Sequence, residues 1–222
     1  PDHTFTYIPH PNVNGSDSFI YQICDASGSC DTSIVNITIL PVSYAPTVNC
    51  PGDILSGSDV GLCAAVVNDL IATYSDQDGN VTTLTWTMTG ATVDASPLTG
   101  INNLPSHLMN FGISTITYAI ADADGLTDTC SFTVEVYDSE NPSITCPGDT
   151  IFLVSACDSL TDPVILNPPA VSDNCGILNL TSNAPSQFPV GTTSVIWMAT
   201  DIHGNSSPCE QFVIVNQEPS MV

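Results

Sequence analysis

The sequence predicts an all-β chain of tandem two-sheet sandwiches, and three observations carry that prediction. One stretch recurs at residues 15–28 (GSDSFIYQICDASG), 112–125 (GISTITYAIADADG) and 191–204 (GTTSVIWMATDIHG). Inside each copy the apolar residues alternate: Phe19, Tyr21 and Ile23; Ile116, Tyr118 and Ile120; Val195, Trp197 and Ala199. A period of two marks one buried face of a strand. Turn formers are abundant, with 14 Gly and 17 Pro, and strong helical periodicity is absent. A repeat of this kind implies an array of similar units. Some seven short strands per unit, separated by frequent turn signals, make each unit an immunoglobulin-like sandwich.

Taken in order, residues 1–42 hold only the end of a module. Phe5 and Tyr7 start a short strand, residues 9–12 form a turn, and the first copy of the repeat follows. Each copy closes on Asp-x-x-Gly (Asp25 to Gly28, Asp122 to Gly125, Asp201 to Gly204). There the Asp bonds its own backbone and the Gly takes positive φ, so the chain reverses. A β-branched run then supplies the last strand, at 34–40, 132–136 and 212–215. Cys24 and Cys30 flank the first of these turns; they pair across the hairpin or remain buried thiols.

A second module is expected over 43–137 and a third over 138–216. Both open with Pro, a short β run and Cys-Pro-Gly-Asp, at Cys50 to Asp53 and Cys146 to Asp149. Proline is tolerated at such an entry strand, where a missing ladder donor does little harm. In the second module 64–67, 84–88 and 113–121 read as strands, and 98–109 as a loop. In the third, 151–154, 164–166, 177–180 and 194–199 read as strands. Residues 217–222 restate the opening of the third module, so they read as the start of a linker to another.

The charge balance limits what the chain can bind. It has no Lys or Arg against 23 Asp plus Glu, a net charge of −23, where an average chain of this length would carry about twenty basic residues. A phosphate backbone needs cationic side chains to displace its counterions, so nucleic acid is excluded as a partner. Carboxylate repulsion must be relieved by water, by backbone N–H groups or by divalent cations. Nine Cys in a β-rich chain indicate an oxidising compartment. No secretory signal or membrane span is visible, and no direct membrane insertion is expected.

The third module resembles a hyalin repeat (HYR) domain. The resemblance rests on Pro142, Cys146-Pro147, Ser172-Asp-Asn-Cys-Gly176, Phe188-Pro-Val-Gly191, Trp197, Thr200-Asp201, Gly204-Asn205 and Cys209. The second module is similar but departs at one loop, where Ser75-Asp-Gln-Asp-Gly-Asn80 replaces Ser-Asp-Asn-Cys-Gly. Residues 1–42 resemble the end of a bacterial cadherin-like or immunoglobulin-like repeat. Such modules are strung together in very large bacterial surface adhesins, including the gliding-motility adhesins of the Bacteroidetes. The resemblance implies pairing of Cys50 with Cys130 and of Cys146 with Cys209. It leaves Cys157 to pair with Cys175, and Cys63 as an unpaired thiol.

In a sandwich of this kind the entry strand, one interstrand loop and the last hairpin share an end. At the third module's entry that end gathers Asp138, Glu140, Asn141, Asp173, Asn174, Asp201 and Asn205. Oxygen ligands from three segments suit Ca²⁺, which takes six to eight; the alternative is that Asp173 and Asp201 only cap turns. The second module offers a weaker set of Asp76, Asp78, Asn80, Asp122 and Asp124. Its Asp76-x-Asp-Gly-Asn run lacks the distant Glu of an EF-hand. The histidines (His3, His10, His107, His203) lie on separate turns or loops and offer no ligand set. No nucleophile elbow, Cys/His pair or phosphate-cradling loop is present, so no reaction is expected and no catalytic residue is assigned. Trp86 and Trp197 sit in alternating strands and read as core.

These readings converge on a stalk segment of a secreted, multi-module adhesin or filament at a bacterial outer surface, serving attachment or gliding. Its expected partners are neighbouring modules, with surface polysaccharide or other cell-surface proteins beyond them. The alternatives are a glycan- or protein-binding module using the long loop 89–110, and an accessory region of a secreted hydrolase.

Overall fold

A computed structural model of the chain describes residues 4–10 and 13–219. His3, Pro11, Asn12 of the expected turn, and the end of the expected linker lie outside the described residues. The chain is all-β, in tandem immunoglobulin-like sandwiches. No helix is long and apolar enough to cross a membrane among the described residues.

The first piece is a hairpin of β1 (Gly15–Cys24) and β2 (Cys30–Ile39), paired antiparallel from Gly15↔Ile39 to Cys24↔Cys30. Its alternating face is not half-buried as the pattern suggested: only Phe19 in β1 is partly covered, while Tyr21 and Ile23 are exposed. A two-stranded ribbon has no second layer to bury a face against. Phe5 and Tyr7 form no strand. Phe5 instead packs its ring edge-on to Phe19 at 4.9 Å, and the Tyr7 hydroxyl donates to Asp17 at 2.8 Å.

The second module comprises β3 (Thr47–Asn49), β4 (Ile54–Gly57), β5 (Ala64–Asn68), β6 (Thr73–Ser75), β7 (Val81–Gly90), β8 (Asp94–Ala95), β9 (Gly100–Ile101), β10 (Ser106–Asn110), β11 (Gly112–Asp122) and β12 (Thr127–Tyr137). One sheet runs β4-β12-β11-β7-β8, with β9 also on β7; the pairs β10-β5 and β3-β6 face it. The loop expected at 98–109 is therefore shorter than its Pro and Asn content suggested. Asn102 ties it down by donating its side-chain amide to the carbonyls of Leu84 and Pro97, and β10 lies along β5. Between the layers, Leu70, Leu84, Met88, Ile116, Tyr118 and Val134 are buried. The Tyr118 hydroxyl donates to the Leu70 carbonyl at 2.8 Å, which satisfies its one polar atom in the core.

The third module repeats the plan with β13 (Ser143–Thr145), β14 (Thr150–Val154), β15 (Ala170–Ser172), β16 (Ile177–Ser182), β17 (Gly191–Asp201) and β18 (Ser206–Gln217). Its main sheet is β14-β18-β17-β16, and β13-β15 faces it. The strand expected at 164–166 does not form: Val164 donates to the Ser186 carbonyl, but Pro163, Pro168 and Pro169 on either side have no N–H with which to extend a ladder. Val164 and Leu166 still pack on the core, whereas Ile165 is 99% exposed. This core is small, built on Phe188, Val195, Trp197, Val213 and Val215. Trp197 donates its indole N–H to Gln211 at 3.1 Å, and Gln211 in turn donates to the Gly148 carbonyl.

The shared Cys-Pro-Gly-Asp phrase has a structural role. Asp53 accepts from the Thr133 backbone N–H at 2.7 Å, and Asp149 accepts from that of Phe212 at 3.1 Å. Each carboxylate thus pins the entry segment to the last strand, just where β4 and β14 begin their parallel pairing with β12 and β18. The cysteine of the phrase is bonded to the last strand as well, as Cys50–Cys130 and Cys146–Cys209. Cys24–Cys30 closes the first hairpin.

Two cysteine assignments need correction. Cys63 is not unpaired, and Cys175 is not joined to Cys157. Cys63 is bonded to Cys175, 112 residues away and in the other module, while Cys157 is a free, exposed thiol. Sequence comparison within one module could not find this pair, because neither partner's module contains the other.

Candidate functional site: the junction of the second and third modules

The junction is built from the outgoing end of the second module and the incoming end of the third. Strand β4 leaves its sheet into a tight turn closed by the Leu62 N–H on the Asp59 carbonyl, and Cys63 follows. From the other side come the linker after β12, the loop after β15 (Asp173, Asn174, Cys175) and the β17–β18 turn (Asp201 to Asn205). The Cys63–Cys175 bond fastens the second of these to the turn.

Polar contacts reinforce that bond. Asn174 donates its side-chain amide to the Leu62 carbonyl at 3.0 Å and to Asp138 at 3.3 Å. Glu140 reaches back to accept from the Gly61 N–H at 2.8 Å. His203 of the third module lies with its ring 3.9 Å from that of Phe111 of the second. Its Nδ1 meets Asp138 Oδ2 at 3.0 Å. Covalent, polar and stacking contacts thus all cross the same boundary.

At the centre lie three carboxylates. Asp138, Asp173 and Asp201 each bring an oxygen within 4.8 Å of the others, although Asp138 is 7% exposed and Asp201 not at all. Burial pushes both of those carboxyls up. Hydrogen bonds outweigh it and hold both below their ordinary value: the Glu140 N–H, His203 and Asn174 on Asp138; the Asn205 amide and the N–H groups of His203, Asn205 and Gly204 on Asp201. Both therefore stay ionised, side by side and out of water.

Part of this is turn chemistry. Asp201 Oδ1 accepts from the N–H groups of His203 and Asn205 at 2.8 and 2.9 Å. Asp25 and Asp122 make the same pair of bonds in their own turns. Asp173 likewise caps with one oxygen, Oδ2, on Cys175 and Gly176. What capping leaves over is the informative part. Asp173 Oδ1 and Asn174 Oδ1 are buried without a hydrogen-bond partner. A buried acceptor without a donor is costly, and an oxygen-coordinated cation would satisfy both. Asp138, Cys175 and His203 also lie within 4.8 Å of one another, but the Cys175 sulfur is held in its disulfide and is no ligand.

The expected ligand set is thus divided. Asp138, Asp173 and Asp201 converge. Glu140 instead clasps Gly61, and Asn141 lies beside it on a groove of about 320 Å³ with Asp173 and Asn174. Asn205 turns its amide N–H to Asp201 at 2.8 Å, donating rather than offering oxygen. His203 and the Ser58–Cys63 turn were not assigned from sequence.

The weaker set does not converge in the same way. Asp76 accepts from the backbone of Asn80 and Asp78 accepts from that of Tyr44, while Asp124 takes Asn80 Nδ2 and the Ser43 hydroxyl. Asp122 Oδ2 and Asn80 Oδ1 are left buried without partners.

With this geometry established, comparison with known proteins is decisive. The HYR domain profile matches residues 43–136 and again 137–215. The chain belongs to the HYR domain family. A bacterial Ig domain profile matches residues 1–38. The chain is 27% identical over 205 residues to hyalin of Strongylocentrotus purpuratus, covering 89% of this chain and 16% of that protein. It is 27% identical over 203 residues to the sushi, von Willebrand factor type A, EGF and pentraxin domain-containing protein 1 of Rattus norvegicus, covering 90% of this chain and 5% of that one. The chain therefore spans a small part of the curated relatives it matches. Among solved structures, mouse cadherin-23 EC22-24 aligns with 91% of this chain and 74% of its own at TM-score 0.40 and 13% identity. Titin domains Z1Z2 align with 80% and 100% at the same TM-score and 10% identity.

Proposed function

We propose that this HYR pair is a load-bearing spacer in a secreted, multi-module adhesin or filament on the outer surface of a bacterium, where it serves attachment or gliding. The observation that carries the reading is the junction, where a disulfide, an asparagine clasp and the Gly61–Glu140 hydrogen bond all cross from one module to the next, beside a carboxylate cluster of the third. An isolated binding module has no need to fix the orientation of its neighbour. A spacer does. The HYR match supports an adhesion role, and the bacterial Ig domain match at 1–38 supports the bacterial surface. The disulfides fit an oxidising exterior, and a net charge of −23 keeps the rod soluble and repels copies of itself. Its partners on this reading are its neighbouring modules, with surface polysaccharide or cell-surface proteins meeting the array elsewhere.

In the same reading Ca²⁺ completes the junction. Asp138, Asp173 and Asp201 supply the charge, and Asn174 Oδ1 a further oxygen. The ion neutralises carboxylates that find no Lys or Arg anywhere in the chain. Thermal unfolding in millimolar calcium and in chelator, at fixed ionic strength, tests this. A site that binds only the folded state adds about 2.7 kcal/mol with ligand at a hundred times its dissociation constant. A calcium-dependent rise in Tm, abolished by Asp138→Asn with Asp173→Asn, is expected. An unchanged melt would remove calcium from the account and leave the disulfide as the fastening.

A further inference from the structure

We propose that the outgoing end of the third module is a docking surface for a further HYR module in the same chain, and that Cys157 bonds to the cysteine of that module's Ser-Asp-Asn-Cys-Gly loop. The argument begins from equivalence. Strands β4 and β14 both pair in parallel with the last strand of their own module, from Val134↔Ile54 and from Val213↔Thr150. Both then run into a tight turn closed by an N–H on the carbonyl three residues back, Leu62 on Asp59 and Asp158 on Ser155. Cys63 directly follows the first turn and Cys157 lies inside the second. In the second module this feature is already engaged: Cys63 is bonded to Cys175, and the carbonyl before it accepts from Asn174. Cys157 is the same element without its partner, on the wall of a cleft of about 690 Å³ between β14 and the Leu160 segment.

The pattern of cysteines at the incoming loops says the same thing independently. Ser75 and Ser172 hold the same register position, opposite Thr47 and Ser143. The third module's loop continues Asp-Asn-Cys and finds a partner in the module before it. The second module's loop continues Asp-Gln-Asp, with no cysteine. The hairpin before it has none to offer, because Cys24 and Cys30 are bonded to each other. An incoming cysteine is thus present where the preceding module supplies an outgoing one, and absent where it does not. A second copy of this chain cannot take the place of the following module, since its own Cys175 is already bonded to its own Cys63.

The chemistry is ordinary thiol–disulfide exchange. Two thiols give up two protons and two electrons to a small-molecule or protein disulfide, which leaves as two thiols, and one S–S bond forms between the modules. The proposal rests on reading the chain as part of an array but not on calcium, to which a thiol map is blind, so the two can fail separately.

The test is a tandem chain in which residues 138–216 are repeated directly after Asn216, with Cys157→Ser in the second copy. The splice is in register, because Tyr137 and Asn216 both follow a valine paired with the first glycine of the long strand. After oxidation by glutathione disulfide and alkylation under denaturing conditions, no alkylated cysteine is expected, and peptide mapping should join Cys157 to the second copy's Cys175. Residues 1–222 alone should alkylate at Cys157. Alkylation of both Cys157 and the second copy's Cys175 in the tandem chain would overturn the proposal. So would a Cys157–Cys157 dimer that leaves that Cys175 alkylated.

Discussion

Cys63 and Cys175 are joined across the module boundary although 112 residues separate them in sequence. The bond overlaps both intramodular bonds, since Cys63 lies within the Cys50–Cys130 loop and Cys175 within the Cys146–Cys209 loop. Each sandwich nevertheless has its own core and its own internal disulfide. The double variant Cys63→Ser with Cys175→Ser should therefore leave both modules folded while uncoupling them. Calorimetry should show one melting transition become two, the lower belonging to the third module with its smaller core. Loss of folded structure in either module would mean that the bond sustains the sandwich itself rather than the junction.

Tyr118 gives a pH signature. Burial raises its hydroxyl above the ordinary 10.0, with backbone groups of Ala72 and Leu104 pulling it partly back. The folded state thus favours the protonated phenol. Its contribution to stability is complete below the unfolded value and is lost as pH rises through the folded one. Phenolate absorbance during alkaline titration should show a late component coincident with unfolding of the second module, absent in Tyr118→Phe. Tyr7, raised by its hydrogen bond to Asp17 in the first hairpin, reports on that contact and not on unfolding of the second module. A Tyr118 that ionises with the exposed tyrosines would contradict this assignment.

The fold was legible because its signals are local. Alternation in the three long strands, the Asp-x-x-Gly turns and the Cys-Pro-Gly-Asp entry phrases each fix their own structure, so the strands over 112–122 and 191–201 could be read directly. Short pairings were harder: β9 and β10 depend on what lies opposite them, and the run at 164–166 looks like a strand until its flanking prolines are counted. At the site, Asp138, Asp173 and Asp201 could be grouped because module ends are predictable from strand order. Cys63, His203 and Glu140 acquire their roles only when one module is set against the next, and no pattern within a single repeat encodes that placement.

Disulfide placement also determines how the chain responds to load. Bonds with sequence separations of 6, 80 and 63 remove the interior of the hairpin and of both sandwiches from the covalent route between the termini. Pulled end to end in oxidising buffer, the chain should give no full-module unfolding step. In reducing buffer, steps of up to about 280 Å and about 220 Å should appear, at ~3.5 Å per released residue. Full-length steps without reductant would mean that these bonds do not shield the modules.

The central claim is that the second and third modules are fastened as one rigid body, and residual dipolar couplings test it most directly. In the oxidised chain with calcium, a single alignment tensor should fit the amides of residues 43–137 and 138–216 together. In Cys63→Ser with Cys175→Ser, in chelator, the two modules should require separate tensors of unequal magnitude. Separate tensors already in the oxidised, calcium-loaded chain would contradict the account, because the junction would then be a hinge.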